Sequence, residues 1–429
     1  MRHLWETDEN VSDPQKQKNI ASLDSRAVNL YNQGKYSEAE RLFKKVLQIT
    51  EKEFGQKHQS TAVALNNFAE CLNGQNRYSE AETLFKRAVE ILEEVVGPEH
   101  PDTATSLTNV ALSVHRQGRY SEAETDFKRV VEIREKVLGL KHQDTASALN
   151  NLALNVHNQG RSSEAEALYK KALKIAEKVN GQNFPDIARF LQNLANNVHS
   201  QGRYSEAEAL YKRAVKMNEA VFGKKHPNTA SSLTNLAFNL NSQNKYSEAG
   251  VLYKRALKIT ENVFGPQHPN TALSLNNIAV NLHNQESYSE AEEYYNRALK
   301  IMEKVYGPQH QNTASSLNNI ALNLDSQGRY AEAEPLFKRA IEIFNKVLGP
   351  EHPDIASFLH NFAMNLDSQG KYSEAELLLK RAVEIREKML APNHLDTASS
   401  LDSLADNLHK QGKYSEAEGI RSTMISGNT

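Results

Sequence analysis

The stretch that decides the fold is residues 103–139, which read TATSLTNVALSVHRQGRYSEAETDFKRVVEIREKVLG. Its central string, GRYSEAE at 118–124, recurs in closely related forms with an unbroken step of 42 residues. The tyrosine of this string stands at Tyr36, Tyr78, Tyr120, Tyr204, Tyr246, Tyr288, Tyr330, Tyr372 and Tyr414, and Ser162 takes its place in one repeat. Landmarks in one register along the chain predict an all-α solenoid of about ten tandem helix-turn-helix repeats.

The first helix of each repeat, helix A, is predicted from the spacing of its apolar residues. These fall at i, i+3, i+4 and i+7, which form one face of a helix. In the repeat quoted above they are Leu107, Val110, Ala111 and Val114. Asp102 or Thr103 is the expected N-cap. The helix is expected to stop near Gly118, where glycine can take the left-handed conformation that closes a helix.

The second helix, helix B, is expected to begin at Ser121. Ser121 and Glu124 have the spacing of a capping box, in which the serine accepts a hydrogen bond from a backbone NH at the start of the helix. The same pair recurs in the other repeats and is broken at Gly250 and at Ala331. Helix B is expected to end at Gly139.

Two alanine columns indicate where the helices touch. One lies in the middle of helix A, and the other lies in the first turns of helix B. The helix A column is Ala27, Ala69, Ala111, Ala153, Ala195, Ala237, Ala279, Ala321, Ala363 and Ala405. The helix B column is Ala39, Ala81, Ala123, Ala165, Ala207, Ala249, Ala291, Ala333, Ala375 and Ala417. Small residues in every repeat predict close backbone approach, which a larger side chain would overpack at a cost of about 1–3 kcal/mol.

These columns carry a family resemblance. The spacing over 107–114 and 123–127 resembles the W-x2-L-G-x2-Y and A-x3-F pattern of tetratricopeptide (TPR) repeats. The usual period of that family is shorter, and the longer unit here, with LNNIA at 317–321 and EAEPLFKRA at 332–340, resembles the repeats of kinesin light chains. The resemblance implies a right-handed superhelical α-solenoid in which the A helices line a concave groove that binds a peptide or a protein.

The same resemblance sets the expected domain organisation. The repeats extend over residues 19–424. Residues 1–18 are expected to form a polar, flexible N-terminus, and residues 425–429 a short tail.

Composition limits the functional classes. Lys plus Arg (51) nearly cancels Asp plus Glu (53), which leaves a net charge of −2 and no field to attract nucleic acid. Cys71 is the only cysteine, so the chain can form neither an internal disulfide nor a cysteine-rich zinc site. No signal peptide or apolar span is found, so we expect a cytoplasmic protein that does not insert into membranes. We expect a monomer, although an oligomer is possible.

One column of helix A faces away from the core and is mostly apolar; we call it the apolar column. It consists of Glu70, Leu112, Leu154, Asn196, Phe238, Val280, Leu322, Met364 and Asp406. A contiguous line of exposed apolar residues is typical of a binding surface. The alternative, given equal weight, is that the winding of the solenoid shields these side chains from water.

A second column, here called the mixed polar column, consists of Asn66, Thr108, Asn150, Gln192, Thr234, Asn276, Asn318, His360 and Asp402. Its amides and hydroxyls could hydrogen-bond the backbone of an extended peptide. The predicted peptide-binding residues are Leu112, Leu154, Asn196, Phe238, Val280, Leu322 and Met364 of the apolar column and Asn150, Gln192, Thr234, Asn276, Asn318 and His360 of the mixed polar column.

Beside it lies a nearly continuous asparagine column: Asn67, Asn109, Asn151, Asn193, Asn235, Asn277, Asn319 and Asn361. For this column we favour a ladder of hydrogen bonds between repeats, because every repeat would need the same bond.

Histidines recur in two settings without predicting a metal site. Those in the turns between repeats, such as His100, are replaced once by Phe184, which binds no metal, so packing in the turn is the better explanation. Those near the end of helix A, such as His115, lie about a helix diameter from their counterparts, and no Cys or carboxylate cluster completes a site. We expect no metal, no cofactor and no catalytic residue, because catalysis needs a unique constellation and this chain repeats its own.

Charge along helix A suggests an orientation for a ligand. Asp325, Asp367, Asp402 and Asp406 collect toward the C-terminal end. The basic part of an asymmetric ligand is therefore expected there.

Three functional hypotheses follow. The first is a non-enzymatic scaffold that binds a peptide or protein segment in the groove of the A helices. The second is a regulatory or sensor array of a signalling protein. The third is a structural solenoid that associates with itself.

Overall fold

The computed structural model describes residues 14–180, 185–389 and 395–426, and within them twenty α-helices and no strand. The helices are α1 Pro14–Asn32, α2 Tyr36–Phe54, α3 Gln59–Gly74, α4 Tyr78–Val95, α5 Pro101–Arg116, α6 Tyr120–Leu138, α7 Gln143–Asn158, α8 Ser162–Asn180, α9 Pro185–Ser200, α10 Tyr204–Phe222, α11 Pro227–Ser242, α12 Tyr246–Phe264, α13 Pro269–His283, α14 Tyr288–Tyr306, α15 Gln311–Ser326, α16 Tyr330–Leu348, α17 Pro353–Ser368, α18 Tyr372–Met389, α19 Leu395–Lys410 and α20 Tyr414–Ser426. Odd-numbered helices are the A helices and even-numbered ones the B helices, which confirms the predicted all-α repeat fold.

The link from helix A to helix B is a three-residue turn. Gly118 takes a positive φ of 78°, and the backbone NH of Arg119 donates to the carbonyl of Val114. This geometry satisfies carbonyls that the end of a helix leaves open, and it needs a residue that tolerates the left-handed conformation. The predicted stop near Gly118 is thereby confirmed.

The start of helix A differs from the prediction. The N-cap is His100, not Asp102 or Thr103, and its Nδ1 accepts a hydrogen bond of 3.2 Å from the backbone NH of Asp102. Pro101 follows as the first helical residue. Neutral imidazole offers one acceptor nitrogen, so histidine can do what Ser or Asp does at most N-caps. The same cap is formed by His58, His142, His226, His268, His310 and His352.

The predicted capping box at the start of helix B is wrong. α6 begins at Tyr120, its N-cap is Arg119, and no side chain caps it. Ser121 is therefore already the second helical residue, too far into the helix to act as a cap. The glutamate of the motif instead forms hydrogen bonds with the following repeat.

That glutamate ties each repeat to the next. Glu82 is buried and accepts hydrogen bonds of 2.7 Å from Gln117 Nε2 and 2.7 Å from Arg119 Nη1, both in the following repeat. Arg119 also pairs with Glu122 of its own helix. We call this arrangement the glutamate clip. Clips of the same kind form at Glu40, Glu166, Glu208, Glu292, Glu334 and Glu376.

The alanine columns lie where the helices are closest. All ten alanines of the helix A column have no exposed area, and those of the helix B column are at most 1% exposed. Aromatic side chains such as Phe127 and Tyr211 fill the space beside them. The expected close approach is confirmed.

The structure divides into two compact units, residues up to Asn155 and residues from Val156 onward. Within each unit, successive A helices contact each other, as α3 and α5 do in the first unit and α11 and α13 in the second. The backbones of successive B helices lie farther apart, and long side chains join them, as in the ion pair of Arg129 with Glu93. The side on which A helices meet is called the inner face of each unit. The handedness of the superhelix stays a prediction.

Two boundaries differ from those expected. α1 begins at Pro14, inside the segment predicted to be flexible, and α20 continues to Ser426, inside the predicted tail. Residues 1–13 and 427–429 lie outside the described residues, as does Phe184, which was expected to replace a histidine.

The histidine caps can be tested at α13. His268 caps the backbone NH of Asn270 at 3.1 Å and stacks on Phe264 with ring centroids 4.7 Å apart. Burial lowers the pKa of His268, which favours the neutral acceptor form. We expect His268→Ala to cost about 0.5–2 kcal/mol and to speed hydrogen exchange in the first turn of α13. His268→Asn should keep the cap and slow exchange again. Equal exchange in both variants would contradict a capping role.

The glutamate clips predict sensitivity to acid. Hydrogen bonds from Lys212, Gln243 and Lys245 hold the pKa of Glu208 at about 2, below its ordinary 4.5. The unfolded chain therefore takes up the proton first as the pH falls. The stabilisation is complete above about pH 4.5 and should be lost progressively as the pH approaches 2.

Urea unfolding between pH 2 and 6 tests this expectation. Glu208→Gln should flatten the pH dependence, because glutamine accepts hydrogen bonds but does not titrate. The control is Glu248→Gln on the same unit, since Glu248 is exposed and makes no hydrogen bond or ion pair with the described residues. A control that flattens the dependence as much as Glu208→Gln would exclude the clip as its source.

Candidate interaction surface

The apolar column lies on the inner face with uneven exposure. Phe238 is 52% exposed and Met364 39%. The other apolar members of the column, Leu112, Leu154, Val280 and Leu322, are half-buried. Both alternatives therefore hold in part: the packing shields four of these side chains, whereas Phe238 and Met364 stay open to solvent.

Most of the mixed polar column is engaged inside the protein. Gln192 donates to Ser232 at 2.5 Å and Asn276 to Ser316 at 3.5 Å, each bond joining consecutive repeats. His360 makes the equivalent contact at 3.4 Å. The column that we assigned to a ligand therefore has a structural role in these repeats.

Other members of the predicted site are also partly engaged. Asn150 and Asn318 are buried, and Asn318 accepts a hydrogen bond of 3.3 Å from Asn361. Asn196 accepts from the hydroxyl of Tyr211 and is otherwise exposed. Thr234 is half-buried and has no hydrogen-bond partner among the described residues.

A second ladder, which the sequence analysis missed, runs near the end of each A helix. Asn323 Nδ2 donates at 3.0 Å to the carbonyl of Tyr288, the first residue of the preceding helix B, and its Oδ1 lies 3.0 Å from His283 Nδ1. We call the residues that donate in this way the bridging column. Its further members include Ser113, Asn155, Asn281, Asn365 and Asn407.

This ladder explains the histidines near the end of helix A. His115, His157, His199 and His283 all pair with an asparagine of the next repeat. Burial lowers the pKa of His115 and of His199, which favours neutral rings that take part in hydrogen bonds. Within the described residues, no group of three or more His, Cys, Asp or Glu side chains is arranged to hold a metal ion.

The asparagine column does not behave as expected. Asn67 and Asn361 make bonds to the preceding repeat, to Asp24 and Asn318. By contrast, Asn235, Asn277 and Asn319 are half-buried and have no hydrogen-bond partner in the part of the chain that the structure describes. The preference for a structural ladder was wrong for these positions. Their carboxamides are therefore available to hydrogen-bond a ligand on the inner face.

The acidic residues near the C-terminal end are also partly engaged. Asp325 accepts from Asn365 at 2.6 Å, and Asp367 accepts from Asn407 and Lys410. Asp402 and Asp406 are exposed. Half of the predicted acidic patch therefore belongs to the bridging ladder, which weakens the expected orientation of a ligand.

The first unit contains a cleft of about 170 Å³ between α3 and α5. Asn66 and Glu70 of α3, and Asp102 and Asn109 of α5, contribute polar groups to it, and Leu92 of α4 contributes apolar surface. None of its described lining residues is basic.

Sequence comparison identifies the family. The model of the tetratricopeptide repeat family matches residues 19–94, 75–136, 102–178, 186–262, 233–304, 272–346 and 326–388. The chain belongs to the tetratricopeptide-repeat family. This confirms the resemblance inferred from the 42-residue pattern. Among curated proteins, no sequence matches the chain.

Several solved structures are similar to this chain at low sequence identity. BtubC (BKLC) from P. vanneervenii is 22% identical, with a TM-score of 0.43, over 54% of this chain and 92% of that one. A putative kinesin light chain of Podosopora anserina is 24% identical, with a TM-score of 0.39, over 48% of this chain and 97% of that one. The apo form of RapI is 18% identical, with a TM-score of 0.47, over 66% and 97%.

None of the described helices combines the length and apolar character that crossing a lipid bilayer requires.

Two asparagines one turn apart on α15 allow the two columns to be compared. Asn323 belongs to the bridging column, whereas Asn319 belongs to the asparagine column and has no hydrogen-bond partner among the described residues. We expect Asn323→Ala to lower the free energy of unfolding by about 1–3 kcal/mol, because it leaves the Tyr288 carbonyl without its donor. Asn319→Ala should stay within about 0.5 kcal/mol, since no internal bond is lost. Urea unfolding of both variants checks this. If Asn319→Ala costs as much as Asn323→Ala, the asparagine column is structural after all.

Proposed function

We propose that this protein is a non-enzymatic scaffold that binds an extended peptide or protein segment on the inner face of its A helices. Tetratricopeptide-repeat proteins generally act as interaction scaffolds, and repeat scaffolds present extended surfaces of this kind. The observation that carries the proposal is the pairing of exposed Phe238 with Asn235, one helical turn before it and without an internal partner.

The same pairing recurs along the second unit. Asn277 precedes Val280 and Asn319 precedes Leu322 by one turn, so each carboxamide lies beside an apolar side chain. A carboxamide offers both a donor and an acceptor, which matches the backbone of an extended peptide. The apolar side chains would take alternate side chains of that peptide. The proposed peptide-binding set therefore keeps Phe238, Val280, Leu322 and Met364 and adds Asn235, Asn277 and Asn319.

The internal hydrogen bonds of the mixed polar column support the assignment of ligand contacts to the asparagine column. Gln192, Asn276 and His360 have partners inside the protein, so a ligand would have to displace an existing hydrogen bond to use them. Asn235, Asn277 and Asn319 require no such exchange. We therefore assign ligand contacts first to the asparagine column and treat the mixed polar column as its support.

A peptide selection tests the proposal. The full chain is used to select from a random twelve-residue peptide library displayed on phage, and enriched peptides are titrated by fluorescence anisotropy. Phe238→Glu should weaken binding at least about tenfold, because it places an unpaired charge where apolar contact is made. The Phe238 ring also packs on that of His199, with ring centroids 4.9 Å apart, so the free energy of unfolding of each variant is measured with urea before the titration.

The matched control is Val251→Glu on α12, the B helix of the same repeat. Val251 is 68% exposed and lies on the other helix of the hairpin. The Val251→Glu variant should bind the selected peptides with the same affinity as the unchanged protein. Equal loss in both variants, or a selection without enriched peptides, would overturn the inner face as the binding surface.

A further inference from the structure

The cleft between α3 and α5 has an unusual residue at its centre. Glu70 stands in the apolar column, where Leu112, Leu154, Val280 and Leu322 stand in other repeats. It is half-buried, and no described residue makes a hydrogen bond or an ion pair with it. A desolvated carboxylate without a partner is costly. The fold does not need the charge, because other repeats place apolar residues at this position.

The neighbouring acceptor is also unsatisfied. Asn66 Nδ2 donates to Ser106 at 2.8 Å, which leaves Asn66 Oδ1 fully buried and without a partner. Asn66 and Glu70 are four residues apart on α3, so their side chains lie on the same face with Cβ atoms about 5–6 Å apart. Asn66 Oδ1 has no surface that an incoming donor could reach, so Glu70, which lines the cleft and is partly exposed, is the acceptor open to it.

The other polar groups that line the cleft are negatively charged or neutral. Asp102, at the start of α5, adds a second carboxylate, held by a hydrogen bond of 3.0 Å from Gln59. Asn109 lines the opposite wall and has no hydrogen-bond partner among the described residues. Arg116 also acts on the charge of Glu70, and its guanidinium lies over the ring of Tyr78 at 6.0 Å from the ring centroid. Burial raises the pKa of Glu70, and nearby positive charge, including that of Arg116, opposes this only in part.

We propose that this cleft binds a lysine or arginine side chain of the docked partner segment, with the Glu70 carboxylate as its acceptor. Ammonium and guanidinium groups are donors only, and they carry the positive charge that the cleft lacks. The inference rests on the proposed function, since it treats the inner face as a docking surface. It adds the chemistry of one side chain of the partner and a specific position on α3.

The cleft also offers apolar surface for the aliphatic part of the bound side chain. Leu92 and Val63 provide apolar surface in the same cleft. Lysine and arginine bury their methylene stems against such surface while the charged head finds its acceptors. A free metal cation would gain nothing from these residues, whereas a long basic side chain contacts both parts of the cleft.

A direct binding measurement with defined probes tests the proposal. The probes are pentapeptides, acetyl-Gly-Gly-Xaa-Gly-Gly-amide, in which Xaa is arginine, lysine, citrulline or glutamate. Binding to the full chain is followed by the side-chain amide NMR signals of Asn66 and Asn109 after selective asparagine labelling. We expect saturable shifts with arginine and lysine. Citrulline has the shape of arginine without its charge, so it should bind at least about tenfold more weakly.

Two variants of the protein test whether the Glu70 carboxylate is the group that binds the probe. Glu70→Gln keeps the size of the side chain and should reduce binding of the arginine probe at least about tenfold. The control is Glu90→Gln on α4 of the same repeat, an exposed glutamate, which changes the net charge equally and should bind as before. Thermal unfolding of Glu70→Gln should occur at an unchanged or higher temperature, because a desolvated charge is removed.

The outcomes distinguish this inference from the proposed function. Equal binding of citrulline and arginine, equal effects of Glu70→Gln and Glu90→Gln, or no saturable shift with any probe would overturn the basic-side-chain site. Peptides selected on the second unit could still depend on Phe238, and the scaffold function would then stand. Conversely, the arginine probe should bind Phe238→Glu normally, because Phe238 belongs to the second unit and the cleft to the first.

Discussion

The contact between helices A and B at the two alanine columns is the constraint on which the rest of the structure depends. Ala111 and Ala123 have no exposed area, so the two backbones approach as closely as a methyl group allows. This distance fixes where the three-residue turn must reverse the chain. It also fixes which residues of helix A remain outside the hairpin. A single hairpin cannot cover those residues, so neighbouring repeats must.

Neighbouring repeats are held in register by polar bonds as well as by apolar burial. The carbonyl at the start of helix B is met by the bridging column, as in Asn323 to Tyr288, and the glutamate of the same helix is met by the glutamate clip. Both attach to the first turns of helix B from the following repeat. Apolar contact is not directional, whereas these bonds are, so they set the rotation of one hairpin on the next.

The sequence predicted the helical hairpins well because each depends on local signals. The period of apolar residues and the glycine at 118 placed the end of α5 within two residues and the start of α6 within one. Contacts between repeats were predicted poorly. Glu124 and its equivalents looked like part of a local cap, yet Glu82 finds its partners in the next repeat, 35 and 37 residues away. Such partners become visible only when two hairpins are placed side by side.

The candidate site was missed in part for a related reason. Asn318 and Asn319 are adjacent on α15, so they differ by about 100° around the helix axis. A helical wheel drawn from one hairpin cannot decide which of the two meets the next repeat. The uniform column looked structural because it is uniform, and the varied one looked functional because it varies. Residues as different as Asn66, Gln192 and His360 each meet a serine of the next repeat, so variation in the mixed polar column is compatible with a structural role.

Repetition gives a physical criterion for function in such a chain. A side chain needed for stacking recurs with its partner, as the glutamate clip does, and its cost and gain are balanced in every repeat. Glu70 follows no such rule, because most of its counterparts are apolar and no described residue makes a hydrogen bond or an ion pair with it. Burial of its carboxylate costs free energy that no hydrogen bond from the described residues offsets. Departures of this kind are expected at binding sites, where the compensating group arrives with the ligand. The sign of the uncompensated charge then indicates the sign of what binds.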